Sequence, residues 1–583
     1  MEDSLTMNTP NAISGLSKRP QSMQSSIVSR TTTRFYTSGS SSFNKKYNDT
    51  LNFKLSSTDY IDASTATLNF RLKTNAVYQI PETLFGLACI EKAVLKINNQ
   101  EVEQIDDASG LLRSLFYLNN DRSVVTGPIG TCAGEYKYRT KSGMFLKNNS
   151  TGVTDDTNSI KPCINLGGTT YKNFGTASQM PPGATQYAVP GNCLELLTCG
   201  GSLTLPEGAL YSRQALTAES NNRLISGQEN EGRDYSVRLM DIFEFFRSET
   251  YVPLRNLGSI DIQLTLSSYD KCFINVPTYS ISNAGITNNL STLSDADTLA
   301  VCTNEEYNII SPYISIDVVQ PNLLLVNALD AQASGSEGFA MVFSSWSTQV
   351  LSQPYGTSLQ YTTNKAFSHC RDLVCLLRPS NAQNGSKFLR YDQTYYGSRC
   401  LENKVIVGSA NFPLTATSSS SARLMEVQKA FAMHNSNTYG SVIDLNVYTG
   451  ANPHLAGSSR GYYPSLTLNN VTGVSADNKA CIAQAGALAF EPNSEFSICQ
   501  SFEKFISSSR FLSGINTRLT TSQITLDLKM RQWLDTDPNT DFKSATSLNT
   551  VDAILGNSPV SALLAVHWEG LLLVSNNSVT VQR

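Results

Sequence analysis

A period of two, repeated in short runs along the chain, constrains this sequence most. Leu51, Phe53 and Leu55 alternate with polar residues, as do Leu68, Phe70 and Leu72. The pattern returns at Ile260, Ile262, Leu264 and Leu266, at Ile314, Ile316 and Val318, and at Phe339, Met341 and Phe343. It returns once more at Ile524, Leu526, Leu528 and Met530. Successive side chains on a strand point to opposite faces, so each run builds one apolar face of a sheet. Helical spacing is rare. Leu111, Leu112, Leu115 and Phe116 share one helical face behind Asp107, a candidate N-cap, and Leu424, Val427 and Phe431 share another. MDIFEFFRS, residues 240–248, reads as a short buried helix or strand. Asn98-Asn99 suits the positive φ of a tight hairpin turn, and LLAVHWEGLLLVSNNSVTVQR reads as a terminal hairpin. Many short strands with few helices predict an all-β chain of sandwiches or barrels.

The runs fall into two blocks. With 583 residues the chain exceeds one ordinary core, so two or three domains are expected. Residues 1–46 lack any apolar period and are expected to form a flexible arm, mildly basic through Lys18, Arg19, Arg30 and Arg34. The first block spans 47–268, a polar linker or surface loop 269–304, and the second block 305–583. Long Gly-, Pro- and Asn-rich stretches between 119 and 235 read as loops around a strand-like 194–205.

Only 16% of residues are charged, against about 25% in an ordinary globular protein, so Ser, Thr, Asn and Gln must cover much of the surface. The net charge of -4 argues against a surface built to grip nucleic acid. No run reaches ~18 apolar residues, which predicts no membrane-spanning helix. The opening MEDSLTMNTPNA has no apolar core of a secretory leader, which predicts synthesis in a reducing compartment. The twelve cysteines are dispersed with no C-x-x-C pair, and are expected as buried free thiols without disulfides or metal.

Chemistry-bearing motifs are weak. GSSRG places Ser459 in a G-x-S-x-G pattern, but Pro453 and Pro464 flank it where a strand and a helix are required. Asp535, Asp537 and Asn539 have calcium-loop spacing, but Thr540 and Thr546 stand where glycine and glutamate belong. His369, His434, His454 and His567 are scattered. Lys137, Arg139, Lys141 and Lys147, interleaved with Tyr136, Tyr138 and Phe145, read as a solvated strand face before a nucleic-acid platform. No catalytic, cofactor-binding or metal residue is therefore expected, and the chain reads as non-enzymatic.

Several stretches resemble the double jelly-roll major capsid proteins of virophages and polinton-like viruses. YIDASTATLNFRLKT is similar to the opening strands of that family. VLKINNQEVEQIDDASGLLRSLFYL resembles its strand, turn, strand of pattern q-x-l-E-x-I, and short helix. YVPLRNLGSIDIQLTLSS is similar to the strand closing the first jelly roll, and YNIISPYISIDVVQPNLLL to the one opening the second. FLSGINTRLTTSQITLDLK and AVHWEGLLLVSNNSVTVQR resemble the closing strands of the second. The resemblance implies two tandem jelly-roll β-sandwiches with a few short helices in loops. It also implies a homotrimer forming a pseudo-hexagonal tile of an icosahedral shell around a DNA genome. The partners would be neighbouring trimers and penton and minor capsid proteins, and the place the virion, assembled inside the host cell. A penton or minor capsid protein of the same class, or an all-β glycan-acting enzyme, is the alternative.

Overall fold

The computed structural model describes residues 27–74, 83–135, 233–248, 251–275, 307–336, 338–380, 400–431, 495–503, 514–518, 523–530, 559–576 and 578–582, with short pieces between them. The alternating runs become strands with one buried face. Thr50–Leu55 (β3) buries Leu51, Phe53 and Leu55, and the 15-residue Tyr60–Thr74 (β4) buries Leu68, Phe70 and Leu72. Ile90–Ile97 (β5) and Gln100–Asp106 (β6) form the expected hairpin, turned at Asn98 and Asn99 with φ of 47° and 64°.

Two strands lie where the sequence suggested otherwise. Ile27–Tyr36 (β1) pairs antiparallel along Tyr307–Pro321 (β10), so this part of the expected arm belongs to the sheet. In turn β10 pairs along β4, making it the last strand of the first sandwich and not the first of the second. Arg233–Arg238 (β7) lies on the other side of β4. One sheet thus reads β1–β10–β4–β7, with Ser42–Asn44 (β2) added on β10 and Tyr251–Val252 (β8) on β4. The facing layer reads β3–β9–β5–β6, where β9 is Ile260–Leu266. Lettered B to I in chain order (β1, β3, β4, β5, β6, β7, β9, β10), these are the B-I-D-G and C-H-E-F sheets of a jelly roll.

The second half repeats that order. Its strands are Phe339–Gln353 (β11), Ser358–Thr363 (β12), His369–Pro379 (β13), Cys400–Val407 (β14), Ala410–Thr417 (β15), Ile498–Ser501 (β16), Ile524–Met530 (β17) and Val560–Ser575 (β18). They pair as β11–β18–β13–β16 and β12–β17–β14–β15, again B-I-D-G and C-H-E-F. Ser578–Gln582 (β19) folds back on β18 as the expected terminal hairpin. The fold is a double jelly roll. Strand pairing sets its boundaries at Ile27 and Pro321 for the first roll and at Phe339 for the second, in place of 47–268 and 305–583.

Helices sit at equivalent places. Ala108–Asn119 (α1) follows strand F of the first roll, and Ser420–Ala430 (α3) follows strand F of the second. Between the rolls Leu323–Ser334 (α2) forms the connection, capped by Asn322 accepting from the Leu324 N–H. Asp107 precedes α1 as expected, but its side chain accepts from Lys271 Nζ at 3.3 Å and makes no capping bond. Residues 240–248 form short helical turns, with Phe243, Phe245 and Phe246 buried.

Directional contacts hold β1, which buries little of itself. Arg30 donates from Nη2 to Asp62 at 2.8 Å and from Nε to Asp317 at 2.7 Å, bridging β4 and β10. Thr32 donates to the same Asp317 carboxylate at 2.6 Å. Those Thr32 and Arg30 bonds hold Asp317 below the usual carboxylate range. Arg30 is itself about two-fifths exposed, which limits the strength of the pair, while Asp62 is buried. Arg30→Ala should therefore lower stability by about 1 kcal/mol. It should also raise amide exchange along residues 27–36 by roughly fivefold, the factor that about 1 kcal/mol sets, leaving β11–β18 exchange unchanged. Uniform protection of β1 in the variant would show that the clamp does not hold it.

Candidate functional site: the seam between the two jelly rolls

The C-H-E-F sheet of the first roll and the B-I-D-G sheet of the second form one continuous path through strands β6 and β11. They run parallel and share one ladder pair, Ser347 with Gln104. With so little ladder, side chains complete the join. Thr348 Oγ1 donates to the Asp106 carbonyl at 2.7 Å and accepts from the Asp106 N–H at 2.8 Å. Ser345 Oγ donates to the Val102 carbonyl at 3.4 Å.

Glu103 is the centre of the seam. Strand periodicity gives it a solvent face, yet it is buried beside the equally buried Val102. Its Oε1 accepts from the N–H groups of Trp346 and Glu244, both at 3.2 Å, and its Oε2 from the Phe245 N–H at 3.3 Å. One carboxylate thus ties β6, β11 and the 239–248 segment together. Burial pushes Glu103 up to about 8, against the N–H bond from Trp346 and those from Glu244 and Phe245, which favour its ionised form.

Behind Trp346 lies a second buried group. The Trp346 ring stacks on His567 with centroids 4.5 Å apart and planes 15° apart. His567 Nδ1 lies 3.1 Å from Asp372 Oδ2 on the neighbouring strand β13. Burial lowers the His567 pKa and raises that of Asp372, so each is driven toward its neutral form. Next to them Arg371 pairs with Glu503, and with Glu569 at 3.2 Å.

Helix α1 is the other half of the seam. All its residues from Ala108 to Leu118 are buried, Arg113 included. Arg378 on β13 donates to the Gly110 carbonyl at 3.2 Å, so close that a Cβ at Gly110 would lie 2.6 Å from the guanidinium. The second roll also caps the far end, where Ser441 Oγ donates to the Tyr117 carbonyl and the Val442 N–H to the Asn120 carbonyl.

Of the sequence candidates, His567 enters the seam. His369 lies on β13 opposite Glu569, apart from any described metal cluster. Ser459, Asp535, Asp537, Asn539, His434, His454, Lys137, Arg139 and Lys141 lie outside the described residues, as does the 194–205 strand. Lys147 falls in the short strand Leu146–Lys147. Among the described residues no group of three or more His, Cys, Asp or Glu side chains could hold a metal ion, and no helix is long and apolar enough to cross a membrane. Seven described cysteines are free thiols, six of them buried. Burial pushes Cys400, for example, up to about 11. The sequence reading gave Glu103 no role. The only signal was its place in the q-x-l-E-x-I stretch, a charge where the strand otherwise joins a core.

Strand order makes this a double jelly-roll protein. No family model matches the chain, and no curated protein does. Solved structures do. The crystal structure of PBCV-1 VP54 fitted into a reconstruction of the virophage Sputnik is 9% identical with a TM-score of 0.47, over 97% of this chain and 99% of that one. The Sputnik virophage structure is 10% identical with a TM-score of 0.46, over 97% and 90%. The mavirus major capsid protein is 9% identical with a TM-score of 0.44, over 97% and 93%. Values this low assign no residue a role.

The seam should be pH-sensitive through Glu103. With a folded pKa near 8, the folded chain keeps a proton that an unfolded glutamate near 4.5 has released. Raising the pH across that interval therefore favours unfolding. Asp372 acts in the same direction, and His567 in the opposite one only below its ordinary 6.5. Melting temperature should accordingly fall from pH 6.5 to 8 in the parent chain, and less steeply in Glu103→Gln. Glu103→Ala, which orphans three buried N–H groups, should cost on the order of 2–4 kcal/mol at pH 7. Parallel pH profiles for the parent and Glu103→Gln would exclude the carboxyl as their source.

Proposed function

We propose that this chain is a major capsid protein, a non-enzymatic shell subunit working as a pseudo-hexameric homotrimer around a DNA genome. The observation that carries the reading is the pair of complete jelly rolls fused edge to edge in one chain. Each roll is a closed sandwich, so long loops can vary without disturbing its core. Fused at a fixed angle, two rolls give one chain two of the six positions in a hexagonal tile, and three chains complete it by cyclic symmetry. Its partners are further copies, neighbouring trimers, and penton and minor capsid proteins, and its place is the virion.

The glycan-acting alternative needs two carboxylates about 5–10 Å apart in an open cleft. Asp241 and Glu244 do line a cleft beside α1, with Leu112, Phe116 and Trp346. Its volume of about 10 Å³ holds at most one water and no sugar ring. Arg238 and Arg247 already pair with those carboxylates. This cleft therefore offers the glycan-acting reading no site.

Purified full-length chain should elute as a particle of about 190 kDa, three copies of 63.5 kDa, and show hexagonal outlines by negative-stain microscopy. A monomer at 10 µM without such outlines would overturn the reading.

A further inference from the structure

Helix α2, the connection between the rolls, is apolar on its outer face as well as its inner one. Inward, Leu329 and Ala333 are buried and Leu325 and Val326 pack on the core. Asp330 accepts there from Arg255 Nε at 3.0 Å and from Asn256 Nδ2 at 2.8 Å. Outward, Leu323 is 68% exposed and Leu324 73%, and Ala328 and Ala331 continue the ridge without a charge. Near the first turn, since Ile27 pairs with Pro321, Val28 is 66% exposed where the β1 register slips between Ile27 and Ser29. A surface helix normally turns polar side chains outward. An uncharged ridge that ends in large exposed apolar side chains is a docking surface.

The pairing of β1 points to the segment that reaches this surface. β1 runs antiparallel to β10 with Ile27 opposite Pro321, and α2 starts at Leu323. Residues 1–26 lie outside the described residues, and they join the fold at Ile27. Continued by register, the chain before Ile27 follows the course that β10 takes into α2. Its first sixteen residues hold Leu5, Met7, Ile13 and Leu16, with only Glu2 and Asp3 as charged side chains, which suits an uncharged apolar ridge. Leu16 stands 11 residues before Ile27. That length spans up to ~37 Å, and the ridge from Leu323 to Ala331 is only ~12 Å long. A tether this short holds its end at an effective concentration on the order of millimolar, so a weak apolar contact suffices.

We infer that residues 1–26 dock on their own chain and lay Ile13 and Leu16 on the Leu323–Leu324 ridge of α2. The segment then holds the connection between the rolls from its outer side, as Asp330 holds it from the inner one. The inference is independent of the trimeric reading, because both halves of the contact belong to one chain.

The test reads how accessible the ridge is to a maleimide in the full-length chain. Leu324→Cys places a thiol there, and the exposed Cys132 serves as internal reference. Labelling, read by mass spectrometry of the peptides, should be slow at position 324 in the otherwise parental chain. Adding Ile13→Ser with Leu16→Ser should speed it at least roughly fivefold, since the uncovered fraction sets the rate. Labelling of Cys132 should stay unchanged, which shows that the fold is intact. Ala328→Cys serves as a second reporter should Leu324→Cys itself weaken the contact. Equal rates with and without the serines at both reporters would overturn the inference. So would slow labelling restored when the serine-bearing reporter is co-assembled with excess parent chain, because the segment would then come from another copy. Neither result bears on the trimer, which the particle mass tests by itself.

Discussion

The buried carboxylate of Glu103 is the interaction on which the arrangement of the two jelly rolls depends. Each roll has its own pair of four-stranded ladders. Between them the ladder offers one residue pair, Ser347 with Gln104. What fixes their relation is a set of directional bonds from side chains to backbone. Glu103 binds three N–H groups, Thr348 both polar groups of Asp106, and Arg378 the carbonyl of Gly110. Each saturates backbone that the short ladder leaves unpaired, and unpaired buried backbone is costly.

The duplication is one of topology and not of sequence. Equivalent strands have diverged because their surroundings differ. Strand B of the second roll is apolar on both faces from Phe339 to Phe343, and the 239–248 segment covers it through Phe245 on Phe343. Strand B of the first roll, IVSRTTTRFY, is polar nearly throughout and held by an ion-pair clamp. The two segments differ in pattern, although they occupy the same place in the B-I-D-G order.

That divergence explains which parts of the fold were legible in sequence. Strands with one wet face carry the period of two, so β3, β4, β9, β10 and β17 were readable. So was the β5–β6 hairpin, through Asn98-Asn99. Strand β1 was not, because a strand that buries almost none of its surface has no apolar period to show, and Thr and Arg read equally well as a flexible arm. The first roll's last strand was misplaced for a different reason. Jelly-roll strands I and B both begin after long loops and pair with each other, so nothing local separates the end of one roll from the start of the next. The seam was least legible. Glu103 and His567 are ordinary in sequence, and what distinguishes them is burial supplied by segments about 140 and 200 residues away, Phe245 and Asp372.

A polar seam also does what an apolar one could not. Apolar contact is non-directional and tolerates sliding, so a purely hydrophobic join would leave the angle between the rolls loosely set. A carboxylate accepting three N–H groups from two segments at once has far fewer good geometries. Burying that carboxyl costs free energy, which is what drives it toward its neutral form, and an apolar replacement of both partners of a buried polar contact with equal shape is close to neutral or stabilising. For a solitary enzyme the exchange would bring little. In the trimer proposed above, a small error in the angle between rolls would repeat at every step and the ring would fail to close. On that proposal, stability given up at Glu103, and at the His567–Asp372 pair behind it, serves to fix the angle between the two halves.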